Sequence, residues 1–202
     1  MAVAPAGGFV HAASIKSNNI AAFAIDSSSG ALTAIAGSPF SAREPTSLTI
    51  DPAGRFLYAT NLGANTVSIF SIDPSTGALT SVGQASTDAL LNGVALSPSG
   101  QVAYAANVGS NSVQAYSVNS TTGMLTPVGS AVATGVSPEV VQVDPSGKFL
   151  YVAVLGSSGV AGAVYGFNIS ASSGALTSMA GSGSARSIRF SRQRPFAADE
   201  FE

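Results

Sequence analysis

The sequence predicts an all-β fold built from a four-stranded unit that repeats about every 47 residues. Three observations carry that prediction. Asp51-Pro-Ala-Gly54 returns as Ser97-Pro-Ser-Gly100 and Asp144-Pro-Ser-Gly147, at offsets of 46 and 47, and Gly77-Ala-Leu-Thr80 recurs at 30–33 and 174–177 and as Gly-Met-Leu-Thr at 123–126. Such periodicity marks a repeat array. Between these turns lie short β-branched and aromatic runs bounded by Gly, Pro, Asn and Asp, the signal of strands joined by hairpins. Finally, no segment sustains the period of an amphipathic helix.

The second unit shows each element in order. Ser47–Asp51 is strand a, closed by the Pro52-Ala-Gly54 turn, and Arg55–Thr60 is strand b. Asn61–Asn65 reverses the chain into strand c, Thr66–Ile72, and Asp73–Gly77 reverses it again into strand d, Ala78–Val82. Pro and Gly are expected only in the turns, where a fixed or positive φ is useful. Strand b is apolar on both faces, with Phe56 and Tyr58 opposite Leu57 and Ala59. A half-exposed sheet would alternate apolar with polar. Each sheet is therefore expected to be covered on both sides, as the blades of a β-propeller cover one another. About four blades are present.

The units run approximately over 1–43, 44–90, 91–137 and 138–183, with a partial fifth from 184 and an atypical tail at 192–202. The first aligns at offset 47 and opens inside strand a. In the fourth, Tyr151 and Phe167 are 16 residues apart, whereas Tyr58 and Phe70 are 12 apart; the extra residues sit in the b–c loop, 156–162. A chain that begins mid-strand and ends out of pattern reads as part of a longer parent. The alternative is a closed four-blade ring, with Ile188–Ser191 paired beside Phe9–Ser14.

Composition excludes several function classes. The 202 residues are 46% hydrophobic but only 9% charged, against roughly 25% in ordinary soluble domains. A net charge of −2 with no basic cluster gives no footprint for nucleic acid. Arg186, Arg189, Arg192 and Arg194 are followed by Asp199, Glu200 and Glu202, a charge-mixed terminus. Without cysteine there is no disulfide, thiolate metal site or Cys nucleophile. No apolar run is long enough to span a membrane. Met1–Gly8 does not read as a signal peptide. The Ser/Thr/Asn-rich, charge-poor composition suits periplasmic or extracellular settings and is compatible with the cytoplasm, so no compartment is assigned. No metal-ligand spacing, Gly-x-Ser-x-Gly elbow or phosphate-cradling loop occurs, so no cofactor is expected.

Propeller topology sorts the polar residues by face. The a–b and c–d turns share the bottom, where Asp26, Asp51, Asp73 and Asp144 are expected to cap their own turns. The b–c loops and d–a connections share the top, where propellers bind ligands. Top-face candidates are Lys16, Glu44, Asn61, Asn65, Asp88, Asn92, Asn107 and Asn111, with Arg43, Glu139 and Arg186 as candidates for chemistry. Arg43 and Glu44 suit a carboxylate or phosphate, and Glu139 suits a general base. The competing reading makes the Arg–Glu neighbours a solvated pair and the asparagines turn formers. His11, the only histidine, replaces the tyrosines at 58, 104 and 151, which places it between blades.

Tyr58-Ala-Thr-Asn61, Tyr104-Ala-Ala-Asn107 and the Asp-Pro-x-Gly-(Lys/Arg)-Phe-Leu-Tyr runs at 51–58 and 144–151 resemble the lactonase-type, YVTN-repeat β-propellers. The resemblance covers residues 2–191. It implies a blade fold usually closed by seven repeats, or about 330 residues at this period. It also implies hydrolysis of 6-phosphogluconolactone-type sugar lactones by His, Arg and Glu on the top face near the channel. Family sequences place His after Pro just before strand a. Here the equivalent stretches, 44–47, 91–93 and 138–140, carry no His.

Two functions follow. The residues favour a scaffold without a catalytic set, whose top loops bind a protein, glycan or small ligand; this reading leans away from an enzyme. The alternative is a lactonase-like hydrolase with Glu139 as base and Arg43 or Arg186 as anion holder. An open stack would self-associate through its uncovered blade faces.

Overall fold

The computed structural model describes residues 1–88, 91–181 and 183. It contains four antiparallel sheets and no α-helix among the described residues. The first holds β1 (Ala2–Val3), β2 (Phe9–Ser14), β3 (Asn19–Ile25) and β4 (Leu32–Ala34), with β5 (Phe40–Ser41) also paired to β3. The second holds β6 (Pro45–Ile50), β7 (Phe56–Asn61), β8 (Thr66–Ile72) and β9 (Leu79–Ser86). The third holds β10 (Leu91–Leu96), β11 (Val102–Asn107), β12 (Ser112–Val118) and β13 (Leu125–Ala133). The fourth holds β14 (Pro138–Val143), β15 (Phe149–Val154), β16 (Ala163–Ile169) and β17 (Leu176–Ser178). Each is a meander in chain order, the expected blade of a β-propeller.

The blades stack through three apolar layers, one per junction. Phe56, Tyr58 and Ile69 pack with Val94, Ala103 and Leu125 of the third blade, while Leu57, Ala59 and Phe70 face Ile20 of the first. Leu150, Val152 and Phe167 close the layer against Tyr104 and Val113. Alternation along β7 thus feeds two separate cores, and all six of its residues are buried. Tyr151 on β15 is 42% exposed, although Tyr58 and Tyr104 at the equivalent positions are fully buried.

A hydrogen bond stitches each junction. Tyr58 Oη donates to Gly123 O, Tyr104 Oη to Gly174 O, each at 3.0 Å, and His11 Nε2 meets Gly77 O at 2.9 Å. A carbonyl only accepts, so Nε2 carries the imidazole proton and Nδ1 is left buried without a partner. Burial pushes the His11 pKa down, the bond to Gly77 opposing it. Burial likewise pushes the Tyr104 hydroxyl up to about 12.

The bottom turns are capped by their aspartates. Asp51 Oδ1 accepts from the Arg55 and Phe56 N–H groups, and Asp144 Oδ1 from those of Lys148 and Phe149. Asp26 and Asp73 accept from N–H groups two and three residues on.

Three expectations need correction. Pro and Gly are not confined to turns: Pro45 and Pro138 open inner strands, and Pro127 sits in the outer strand β13. A strand edge does not require the missing N–H. Strand d of the second blade runs on to Ser86 because Gly83, at φ 158°, carries it past a bulge. β5 was not anticipated. The partial fifth unit and the Ile188–Ser191 pairing lie outside the described residues. No helix among the described residues is long and apolar enough to cross a membrane.

Candidate functional site

The inner strands β6, β10 and β14 pack against one another in succession. Near the start of each, the register with its partner slips by one residue: between Pro45 and Ser47, Leu91 and Gly93, and Pro138 and Val140. The residue left over is Thr46, Asn92 or Glu139. A bulge disrupts the ladder locally and re-aims a side chain, which is why bulges recur beside active sites. Here the repeat delivers three polar bulge residues at one level of the top rim.

These residues form a polar chain across three blades. Thr46 Oγ1 lies 2.8 Å from Thr60 Oγ1 and donates to Thr60 O at 3.2 Å. Thr60 Oγ1 reaches Asn92 O at 3.4 Å. Asn92 Nδ2 in turn donates to Glu139 Oε2. Both Asn92 and Glu139 are half-buried. Among the described residues Glu139 Oε1 accepts no hydrogen bond. A carboxylate held through one oxygen, with the other unengaged, is equipped to take a proton from a bound water.

Two cavities lie elsewhere on the fold, and neither is lined by Thr46, Asn92 or Glu139. One of about 620 Å3 is lined by Thr49, Val94, Leu96, Val141, Gln142 and Tyr151 and by the prolines of the bottom turns. The other, about 530 Å3, is a polar crevice between the first and second blades, lined by Asn18, Arg43, Glu44, Ser68 and Gln84.

The sequence-predicted residues separate into groups. Arg43 and Glu44 are exposed in the β5–β6 connection and line the polar crevice, two blades away from Glu139. Glu139 is not among the residues that line the crevice at Arg43. Glu44 adopts φ 42° and donates its N–H to Asn18 Oδ1 at 2.9 Å. Asn65 and Asn111 adopt φ 53° and 51°, and their carbonyls accept from the Thr87 and Thr134 N–H groups. Asn111 Oδ1 also accepts from the Ser137 N–H, tying one blade's loop to the connection leading to the next.

Asn61 and Asn107 are fully buried at the ends of β7 and β11. Asn61 Nδ2 donates to the Thr66 and Ser68 hydroxyls and Asn107 Nδ2 to that of Ser112, so they fasten their own hairpins. Lys16 and Asp88 are exposed on top-face loops. Arg186 lies outside the described residues. Among the described residues no group of three His, Asp or Glu is placed to hold a metal ion. Sequence reasoning missed Thr46, Thr60 and the bulges, although the equivalence of the stretches 44–47, 91–93 and 138–140 was the signal for them.

The profile of the family described as lactonase, 7-bladed β-propeller, matches residues 1–89 and 87–188. None of the curated proteins compared with the chain matches it. Among solved structures, a putative 6-phosphogluconolactonase from Bacteroides uniformis is similar at 24% identity and a TM-score of 0.79, over 89% of this chain and 52% of that one. A second putative 6-phosphogluconolactonase, from Bacteroides fragilis, is similar at 26% identity and a TM-score of 0.75, with the same coverage. The periplasmic gluconolactonase of Pseudomonas aeruginosa shares the fold at 19% identity and a TM-score of 0.75, over 88% of this chain and 52% of that one. This chain therefore spans about half the length of these structures. Its four blades and the match over residues 1–188 place it in the lactonase family of seven-bladed β-propellers.

Proposed function

We propose that the chain contributes the top-rim site of a hydrolase that opens sugar lactones of the gluconolactone class. The observation that carries this is the Asn92–Glu139 pair, built from equivalent bulges on adjacent inner strands. Family membership favours this reading over the non-catalytic scaffold, which was motivated by strong scaffold motifs beside an absent catalytic set. Glu139 acts as general base: Oε1 takes a proton from water as its oxygen attacks the lactone carbonyl. The tetrahedral intermediate then collapses, the ring C–O bond breaks, and the released alkoxide receives that proton, leaving an aldonic acid whose carboxyl ionises and releases its own proton to solvent. Asn92 holds Oε2, so that Oε1 is presented in one orientation. Thr46 and Thr60 extend the polar rim with hydroxyls suited to a polyhydroxylated substrate.

The test is acid release from a panel of phosphorylated and neutral sugar lactones. The proposal expects turnover above the spontaneous rate, reduced at least 100-fold in Glu139→Gln, since a general base contributes about 100- to 10,000-fold. Turnover at the spontaneous rate with every lactone would return the chain to the scaffold reading.

A further inference from the structure

The polar crevice between the first and second blades lies where one repeat position carries a small side chain. Thr66, Ser112 and Ala163 pair with Asn61, Asn107 and Val154, so two residues further on Ser68, Gln114 and Tyr165 are equivalent. They share a face with Phe70, Tyr116 and Phe167, each of which packs into the layer against the preceding blade. Between the third and fourth blades the Tyr165 ring closes on the connecting chain, where a Cβ added to Gly135 would lie 2.7 Å from Cε2. Gln114 is buried and donates to Val128 O at 3.2 Å. Between the first and second blades Ser68 leaves a space of about 530 Å3, lined only by residues of those two blades.

The protein does not use up the polar groups around that space. Ser68 is only 5% exposed. Its Oγ accepts from Asn61 Nδ2 at 2.8 Å and from Gln84 Nε2 at 3.4 Å, while its own proton has no acceptor among the described residues. Asn18 Oδ1 accepts from the Glu44 N–H, and Asn18 Nδ2 has no acceptor among the described residues. Arg43 is exposed and makes no hydrogen bond or ion pair among the described residues. Glu44 turns its carboxylate to the neighbouring loop, where a Cβ added to Gly63 would lie 3.1 Å from Oε2, so it leaves the guanidinium to a ligand.

These groups select a chemistry. A guanidinium recognises a carboxylate or phosphate through paired N–H bonds. Hydroxyl and amide groups, which both donate and accept, match the hydroxyls of a polyol. A buried donor without a partner costs free energy that a bound oxygen recovers.

We propose that this crevice is a ligand site for a small polyhydroxylated anion, bearing a carboxylate or a phosphate. Arg43 holds the anionic group, Ser68 donates to an oxygen of the polyol, and Asn18 and Gln84 bond further hydroxyls. The site is distinct from the inner rim, since neither Asn92 nor Glu139 lines it. The inference is independent of the hydrolase reading.

The experiment is isothermal titration calorimetry of the full chain with gluconate, glucose 6-phosphate and neutral glucose. At least one anion should bind, and glucose should bind about tenfold more weakly or less. Gluconate alone would identify a carboxylate ligand, glucose 6-phosphate alone a phosphate, and both a site that takes either anion. Arg43→Gln, at an exposed position, should weaken anion binding by about tenfold or more. Ser68→Gln, which brings the third blade's residue into the crevice, should abolish it. Circular dichroism verifies that both variants fold, and Arg43→Gln decides alone if Ser68→Gln does not. Glu139→Gln should leave the affinity unchanged. Binding of neither anion overturns the proposal, as does glucose binding as tightly as the anions. Affinity that survives Arg43→Gln also overturns it, and so does affinity lost in Glu139→Gln, which would put the anion at the rim.

Discussion

Tyr58 donates its hydroxyl to the carbonyl of Gly123, 3.0 Å away and one blade further along the chain. The bond is buried, and Phe56 from the same strand covers that glycine. Removing the hydroxyl leaves a buried carbonyl without a donor, which costs about 1–3 kcal/mol. Tyr58→Phe and Tyr104→Phe should each lose stability of that order in urea denaturation. Tyr151→Phe, at an exposed position, should change it by less than about 0.5 kcal/mol. Equal losses at all three positions would contradict the junction account.

His11 carries the same junction bond with a side chain that titrates. Its folded pKa is lowered, so between that value and the unfolded value of about 6.5 the unfolded chain binds more protons. Stability therefore rises with pH through this window, and the His11 contribution is lost as acidification carries the chain down through it. His11→Tyr should flatten stability between pH 7 and 5. A second acid loss should remain in both proteins below about pH 4. Hydrogen bonds from Ser75, and chiefly from Ser146, hold the Asp73 and Asp144 carboxyls below the usual range. A pH titration of the denaturation midpoint checks both steps.

Gly77 has φ 71°, and a Cβ there would stand 2.5 Å from Phe9 Cδ1. Gly30 has φ 72° with nothing within 4 Å of the added atom among the described residues. Gly30→Ala should cost only the left-handed backbone penalty, about 1–2 kcal/mol. Gly77→Ala adds the steric clash with Phe9 and should cost more by at least about 1 kcal/mol. Thermal unfolding of the two variants makes the comparison; equal losses would show that Phe9 yields without cost.

The blades were legible in the sequence because their punctuation is local. Asp51-Pro-Ala-Gly54 and Asp73–Gly77 close turns by bonds between near neighbours, and the alternation of Phe56, Leu57, Tyr58 and Ala59 declares two buried faces at once. The site was less legible because it arises between blades. Glu139 drew notice as a lone carboxylate, but its partner Asn92 lies 47 positions earlier and meets it only when the inner strands stack. Asn61 and Asn107 looked available because they end strands beside top loops. They are buried, with Nδ2 donating to hydroxyls of their own hairpins and Oδ1 left without a partner among the described residues. Thr46 escaped attention because a bulge adds one residue without any Gly to signal it.

The double-mutant cycle of Asn92→Ala and Glu139→Gln on kcat/KM for a hydrolysed sugar lactone tests the central claim most directly. If Asn92 acts by orienting the Glu139 carboxylate, the double variant should be no slower than Glu139→Gln alone, because the orienting bond has nothing left to orient. Additive losses would show that the two residues act separately, and an unimpaired Glu139→Gln would remove the inner rim from the chemistry altogether.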